Sequence, residues 1–255
     1  MPTALITGGT VGIGHAFAKT LAAQGYNLVL ASRDEAGLNR VAQDFEAIHH
    51  INVEVIPTDL AKRQDVLALA DRIEDSNRPI DLLINNAGFA VHDSLMADYT
   101  IHARAMEVMC MAVLILSGAA ARAMTRRGHG AILNVASSSA VITTGNYSAI
   151  KAWVTVYTEG LSNELRGSGV SVMALLPGWV RTEFHSRGGV KATTLPDFVW
   201  IEADEVATQA LRDLNRGKVL SVPTTRWAIA VTLGHIAPRR AIRWVSRALT
   251  KSRQE

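Results

Sequence analysis

Cysteine is almost missing from this chain: Cys110 is the only one among 255 residues. A single thiol can build neither an internal disulfide framework nor a cysteine zinc cluster. Aromatic residues are scarce too, at 5%, so the core has to be aliphatic and alanine-rich. No stretch reaches the ~18–20 uncharged apolar residues of a membrane span. The opening Met1-Pro-Thr-Ala-Leu-Ile-Thr lacks a basic region and runs straight into a strand pattern, so no secretory signal is expected. A soluble, cytoplasmic protein is the expectation. Net charge is only +3, too little to argue for a nucleic-acid partner. His49 and His50 are adjacent on a predicted helix and point apart, with no acid at ligand spacing. No metal is expected from them.

What is present is apolar: 48% of residues are hydrophobic and 19% charged. That excludes a disordered chain and suits one α/β domain, a class that reaches ~250 residues. We expect a single domain over residues 1–255, with no linker, repeat or low-complexity segment. The charge is uneven. Residues 216–255 hold nine Lys or Arg against one acid, while the remaining 215 residues carry a net −5. A basic tail therefore sits on a mildly acidic body.

Apolar, β-rich runs alternate with helical periods. Strands are expected at 4–6, 28–30, 53–56, 82–84, 132–135, 170–176 and 219–222. Helices are expected at 13–24, 35–48, 62–74, 98–125, 147–166 and 203–215, with helical pattern to the end. The first strands are continuous rather than alternating, as in a parallel sheet covered on both faces. The fold class is α/β, a doubly wound parallel sheet with helices on both faces.

Thr7-Gly8-Gly9-Thr10-Val11-Gly12-Ile13-Gly14 lies between the first strand and the first helix. Glycines permit a tight turn and close approach of a pyrophosphate, and the helix start offers free N–H groups. Gly8, Thr10, Gly12, Ile13 and Gly14 are therefore candidates for dinucleotide binding. The second strand ends at Ser32-Arg33, where an NAD site would carry an acid. A guanidinium suits a 2′-phosphate instead, so the coenzyme is expected to be NADP(H). Asp34 is read as the start of the next helix.

Three further stretches complete a pattern: Asn85-Asn86-Ala87-Gly88 after the fourth strand, Tyr147-Ser-Ala-Ile-Lys151 after the fifth, and Pro177-Gly178-Trp179-Val180-Arg181-Thr182 after the sixth. With the glycine turn, residues 3–182 resemble the short-chain dehydrogenase/reductase family. The resemblance implies a Rossmann-like, seven-stranded sheet. Tyr147 and Lys151 fall on one helix face by their spacing, and a cation beside a phenol lowers its pKa. Tyr147 is then the implied acid/base, and Lys151 tunes it and holds the ribose. Ser137 is the implied partner of the carbonyl oxygen, with Ser138 as fallback because only ten residues separate Ser137 from Tyr147. Asp59 implies a bond to the adenine amino group, with Leu60 packed nearby. Asn86, Ala87 and Gly88 imply a coenzyme wall, and Pro177, Gly178, Val180 and Thr182 imply contacts to the nicotinamide carboxamide. Met109 stands where the family has a water-holding asparagine, and methionine neither donates nor accepts well.

The implied activity is NADP(H)-dependent interconversion of a ketone or aldehyde with its alcohol. The alternatives are a 3-oxoacyl-thioester reductase and a non-catalytic NADP(H)-sensing regulator. Residues 178–200, with Trp179, Phe184, Phe198 and Trp200, read as a substrate lid or as ordinary packing, and the substrate as apolar. His92 is read as a loop residue rather than a substrate contact. A homodimer or homotetramer is expected. Residues 224–255 form a basic helical extension, where Arg240, Arg243, Arg247 and Lys251 recur with Ile242, Val245 and Leu249 opposite. Packing on its own domain or a subunit is the plainer reading, and contact with an anionic membrane surface the other.

Overall fold

The structure, a computed structural model, describes residues 1–91, 93–182 and 196–254, with backbone alone from 249 onward. His92 and Phe184 lie outside the described residues. Six strands alternate with six helices in the first two thirds of the chain. They are β1 (Thr3–Thr7), α1 (Gly12–Ala23), β2 (Asn27–Ser32), α2 (Glu35–His49), β3 (Val53–Pro57), α3 (Arg63–Glu74), β4 (Leu82–Asn85), α4 (Tyr99–Met106), α5 (Ala112–Arg127), β5 (Gly130–Val135), α6 (Asn146–Glu164) and β6 (Val170–Leu175). After them come β7 (Trp179–Arg181), β8 (Trp200–Glu202), α7 (Ala203–Asn215), β9 (Leu220–Ser221), α8 (Thr225–Ile236) and α9 (Arg239–Gln254).

Seven parallel strands form one sheet in the order β3-β2-β1-β4-β5-β6-β9, and β7 pairs with β8 separately. Alternate residues of each strand serve opposite layers. Ala4, Ile6, Leu28 and Leu30 pack with Phe17, Leu38 and Phe45 on one face. Leu5, Val29 and Ala31 pack with Leu69, Ile73 and Leu116 on the other. Both faces are dry, which is why the strands read as unbroken apolar runs. Chain order reverses between β1 and β4, so the carboxyl ends of the strands open a crevice there.

The long helix expected at 98–125 is not continuous. A π turn, Glu107–Met111, separates α4 from α5 and is closed by a hydrogen bond from Ala112 N–H to the Glu107 carbonyl. The segment Tyr99–Arg127 is long and apolar enough to cross a membrane by composition, yet 67% of its apolar window is buried inside the domain. It is a core helix here. In α9, Ile242 is buried as the pattern implied, but Val245 is 41% exposed. The second buried position is Ser246, one turn after Ile242, because only that line of the helix meets the domain.

A buried polar network ties the layers together beneath the crevice. Asn85 and Asn134 are register partners in β4 and β5. Asn85 Nδ2 donates to Asn134 Oδ1 at 2.9 Å and to Ser117 Oγ at 3.0 Å. Asn134 Nδ2 donates in turn to Thr158 Oγ1 at 3.0 Å. These side chains are essentially solvent-free, so each bond made inside replaces one lost to water. Asn134→Ala leaves both Asn85 and Thr158 short of a partner. The expected loss is roughly 1–3 kcal/mol, read as a lower urea midpoint at unchanged slope.

Candidate active site

The strand ends surround a cleft of about 900 Å³, at the upper end of the ~300–1,000 Å³ usual for small-molecule sites. Its floor is the turn after β1. Gly8 has φ +71° and Gly12 φ +59°, left-handed values that glycine adopts without strain. Asn86 fastens this turn to β4: its Nδ2 donates to the carbonyls of Thr7 at 3.0 Å and Gly8 at 3.1 Å. Thr7 Oγ1 accepts from the backbone N–H of Asn86 and Ala87 at 3.0 and 3.1 Å. α1 begins at Gly12 with no side-chain cap and no acid in its first turn. Its N–H groups are therefore available to an anion.

Gly8, Thr10, Gly12, Ile13, Ser32, Arg33, Asp59 and Leu60 line the cleft, as do Asn86, Ala87, Gly88, Pro177, Gly178, Val180 and Thr182. Gly14 does not. It is buried, and a Cβ there would lie 2.1 Å from the Gly8 carbonyl oxygen and 2.4 Å from Asn86 Nδ2. That close approach packs α1 against the turn. Arg33 is exposed and forms no ion pair among the described residues. Asp34 caps α2, its carboxylate accepting from Gly37 N–H at 3.0 Å, so it is turned to the helix. Ser32, Arg33 and the open glycine turn fit a phosphorylated dinucleotide by donor chemistry and by space.

Ser137, Tyr147 and Lys151 meet on the opposite wall. Ser137 follows β5, is nearly buried, and its hydroxyl favours the ionised form of the Tyr147 phenol. Its Oγ also accepts from Ser139 N–H at 3.1 Å, which fixes its rotamer. Ser138 lines the cleft as well, its N–H bonded to the Pro177 carbonyl at 2.9 Å. The effect of its hydroxyl on the Tyr147 phenol singles out Ser137. Lys151 is 4% exposed. Its Nζ donates to the Val135 carbonyl at 2.8 Å and lies 5.6 Å from the Tyr147 ring centre.

The expected lowering of the tyrosine by its lysine is not what these surroundings produce. Burial pushes the Tyr147 phenol up to about 12, and the Ser137 hydroxyl pulls only partly the other way. Burial pulls the Lys151 ammonium down to about 8, opposed by Cys110. Desolvation is the largest cause for both, Lys151 as a buried side chain and Tyr147 as a partly buried ring at the cleft wall. Met109 occupies the middle of the π turn and is 1% exposed among Val91, Ala105, Cys110 and Ile150. A Cβ on Gly88 would meet Met109 Sδ at 3.1 Å and Lys151 Nζ at 3.8 Å. Glycine at 88 keeps that corner open, and the break in the helix falls at Met109.

Several cleft residues escaped the sequence reading. Val108, Val141, Ile142, Trp227 and Val231 also line the cleft, all apolar. Trp227 comes from α8 and lies so close to Gly178 that a Cβ there would fall 2.1 Å from its indole. Its Nε1 donates to the Val199 carbonyl at 3.2 Å. Nothing local in the sequence marks a tail tryptophan as a cleft residue. Trp179 and Trp200 stack edge to face at 5.6 Å, whereas Phe198 is 68% exposed.

The short chain dehydrogenase family model matches residues 2–189. The chain belongs to the short-chain dehydrogenase/reductase family and is an oxidoreductase. It is 36% identical over 186 residues to galactitol 2-dehydrogenase (L-tagatose-forming) of Cereibacter sphaeroides, covering 71% of this chain and 72% of that one. A short-chain dehydrogenase from Sphingobium yanoikuyae, solved in complex with NADPH, superposes with TM-score 0.84 at 33% identity, covering 90% of this chain and 91% of that one. The bulky-bulky ketone specific alcohol dehydrogenase from Comamonas testosteroni gives 0.80 at 28% identity, with 92% of each chain covered.

A buried lysine bonded to one neutral carbonyl costs the fold stability. Its folded proton affinity lies below the unfolded one, so the penalty is complete below about pH 8 and fades as pH rises toward 10.5. Lys151→Met should raise the thermal midpoint at neutral pH, by the equivalent of about 1–3 kcal/mol after the stranded Val135 carbonyl is counted. The gain should shrink from about pH 8 upward and be nearly gone by pH 10.5, and calorimetry across pH reads both.

Proposed function

We propose that the protein is an NADP(H)-dependent oxidoreductase that interconverts an apolar ketone or aldehyde and its alcohol. The observation that carries this reading is the convergence of Ser137, Tyr147 and Lys151 on one wall of a cleft whose other end holds Arg33. The NADPH complex of the Sphingobium relative and the ketone specificity of the Comamonas relative support it.

The glycine turn and the start of α1 hold the pyrophosphate, Ser32 and Arg33 the 2′-phosphate, and Asp59 with Leu60 the adenine end. When bound, the coenzyme supplies or accepts the hydride at the substrate carbon. Ser137 donates to the carbonyl oxygen and fixes its position. Tyr147, a protonated phenol through the neutral range, gives that oxygen its proton on reduction and removes it on oxidation. Hydrogen bonds from phenol and serine stabilise the developing negative charge. Lys151, anchored by the Val135 carbonyl, holds the ribose and places a positive charge beside the phenol. Trp179, Val180 and Thr182 line the cleft after β6, and residues 183–195 of the expected lid lie outside the described residues.

The apolar lining of Val141, Ile142, Trp227 and Val231 also suits an acyl chain, which favours a 3-oxoacyl thioester as the second substrate class. A sensor without turnover has no use for Ser137, Tyr147 and Lys151 gathered in one cleft. We place the protein in the cytoplasm as a homodimer or homotetramer. Exposed Met106, Leu114 and Val156 on the outer helical layer support the assembly.

Arg33→Ala should weaken NADPH about ten- to a hundredfold and leave NADH nearly unchanged, since a charge-assisted bond is worth roughly 1.5–3 kcal/mol. Fluorescence titration with each coenzyme checks it, and equal losses refute the 2′-phosphate assignment. Tyr147→Phe should abolish turnover and preserve NADPH affinity. In the natural protein, ketone reduction should be level from about pH 6 to 7, where the phenol and the Lys151 ammonium both stay protonated, and should fall as Lys151 loses its proton around pH 8. Alcohol oxidation should climb toward alkaline pH.

A further inference from the structure

α8 and α9 each turn one face into the domain. On α8, Val231 is 5% exposed, and a Cβ on Gly234 would lie 2.3 Å from Val141 Cγ2. On α9, Ile242 and Ser246 are buried, and Ser246 Oγ accepts from Thr143 N–H at 2.9 Å. The outward faces carry an unusual combination. Ile229, Leu233 and Ile236, at one-turn steps on α8, are 57%, 56% and 73% exposed. Trp244 on α9 is 72% exposed. At ~100° per residue, Arg240, Arg243, Trp244 and Arg247 share an arc turned away from the Ile242–Ser246 line. None of those three arginines forms an ion pair among the described residues.

We propose that this face docks on an anionic lipid bilayer. Apolar side chains and a tryptophan enter the headgroup boundary, and the arginines pair with lipid phosphates. Charge complementarity selects this occupant. Residues 216–255 carry nine basic groups and one acid, while the rest of the chain carries net −5. A negative surface therefore attracts this face and repels the remainder, which orients the molecule. A second copy fits poorly, because a two-fold contact would lay the arginine arc against itself. A nucleic acid leaves Ile229, Leu233 and Ile236 without a role. α8 also supplies Trp227, Ala230 and Val231 to the cleft wall. Docking thus brings the mouth of the cleft to the lipid, a route for an apolar substrate that rests on the proposed function. The docking itself does not.

The test is cosedimentation of the full-length protein with vesicles of phosphatidylcholine alone or mixed with phosphatidylglycerol, at low and high salt. Binding should need phosphatidylglycerol and fall with salt. The triple variant Arg240→Gln/Arg243→Gln/Arg247→Gln should bind about 100-fold more weakly, from ~1 kcal/mol per basic residue near an anionic surface. Its thermal unfolding should not change, since these side chains are exposed. Leu233→Ser/Ile236→Ser should also lose binding. Absence of binding at low salt, or equal binding to both vesicles, overturns the proposal. So does a Leu233→Ser/Ile236→Ser protein that binds vesicles normally but sediments as a smaller species, which would make the face a contact between copies.

Discussion

A single buried ammonium organises this molecule's chemistry. Lys151 lies in the wall between β5 and α6 with the Val135 carbonyl as its hydrogen-bond partner. Such a group is unfavourable inside a protein, and its pull below the ordinary lysine range expresses that cost. The fold tolerates it because two aliphatic layers clamp the sheet from both sides. The surroundings are built to leave it room. Gly88 withholds a side chain, the π turn displaces the helix opposite, and Met109 packs its thioether at the edge of the same corner. Tyr147, one turn earlier on α6, is partly buried at the cleft wall and stays a phenol at neutral pH.

The coenzyme end of the cleft depends on a different economy. The turn after β1 uses left-handed glycines and cannot hold itself in place by side chains of its own. Asn86 and Thr7 hold it through hydrogen bonds that cross from β1 to β4. Below them, Asn85, Ser117, Asn134 and Thr158 lock β4 and β5 to the helices behind. The floor and the wall that carries Ser137 and Tyr147 are therefore tied together through β4 and β5. Hydride transfer needs reacting groups held at a fixed separation, so this tie serves the chemistry directly.

Much of this was legible in the sequence. Continuous apolar strands announced a sheet covered on both faces, and the strand–glycine–helix order placed a dinucleotide turn. Asp34 read correctly as a helix cap rather than a ribose ligand. What stayed hidden depends on tertiary contact. The π turn interrupts a segment whose apolar periodicity looks uniform. Gly14 reads as part of the phosphate turn, yet only the three-dimensional approach of the Gly8 carbonyl shows its packing role. Trp227 reaches the cleft from α8, far along the chain from the motifs. The high phenol and low ammonium arise from desolvation, which residue spacing does not report.

The central claim is that one cleft carries the coenzyme from Arg33 at one end to Tyr147 and Lys151 at the other. A crystal structure of the protein with NADPH tests it most directly. The account predicts the 2′-phosphate against Arg33, the pyrophosphate over the glycine turn, and the nicotinamide ring beside Tyr147 with its ribose at Lys151. A coenzyme bound in the reverse sense, or with its nicotinamide away from Ser137 and Tyr147, would contradict it.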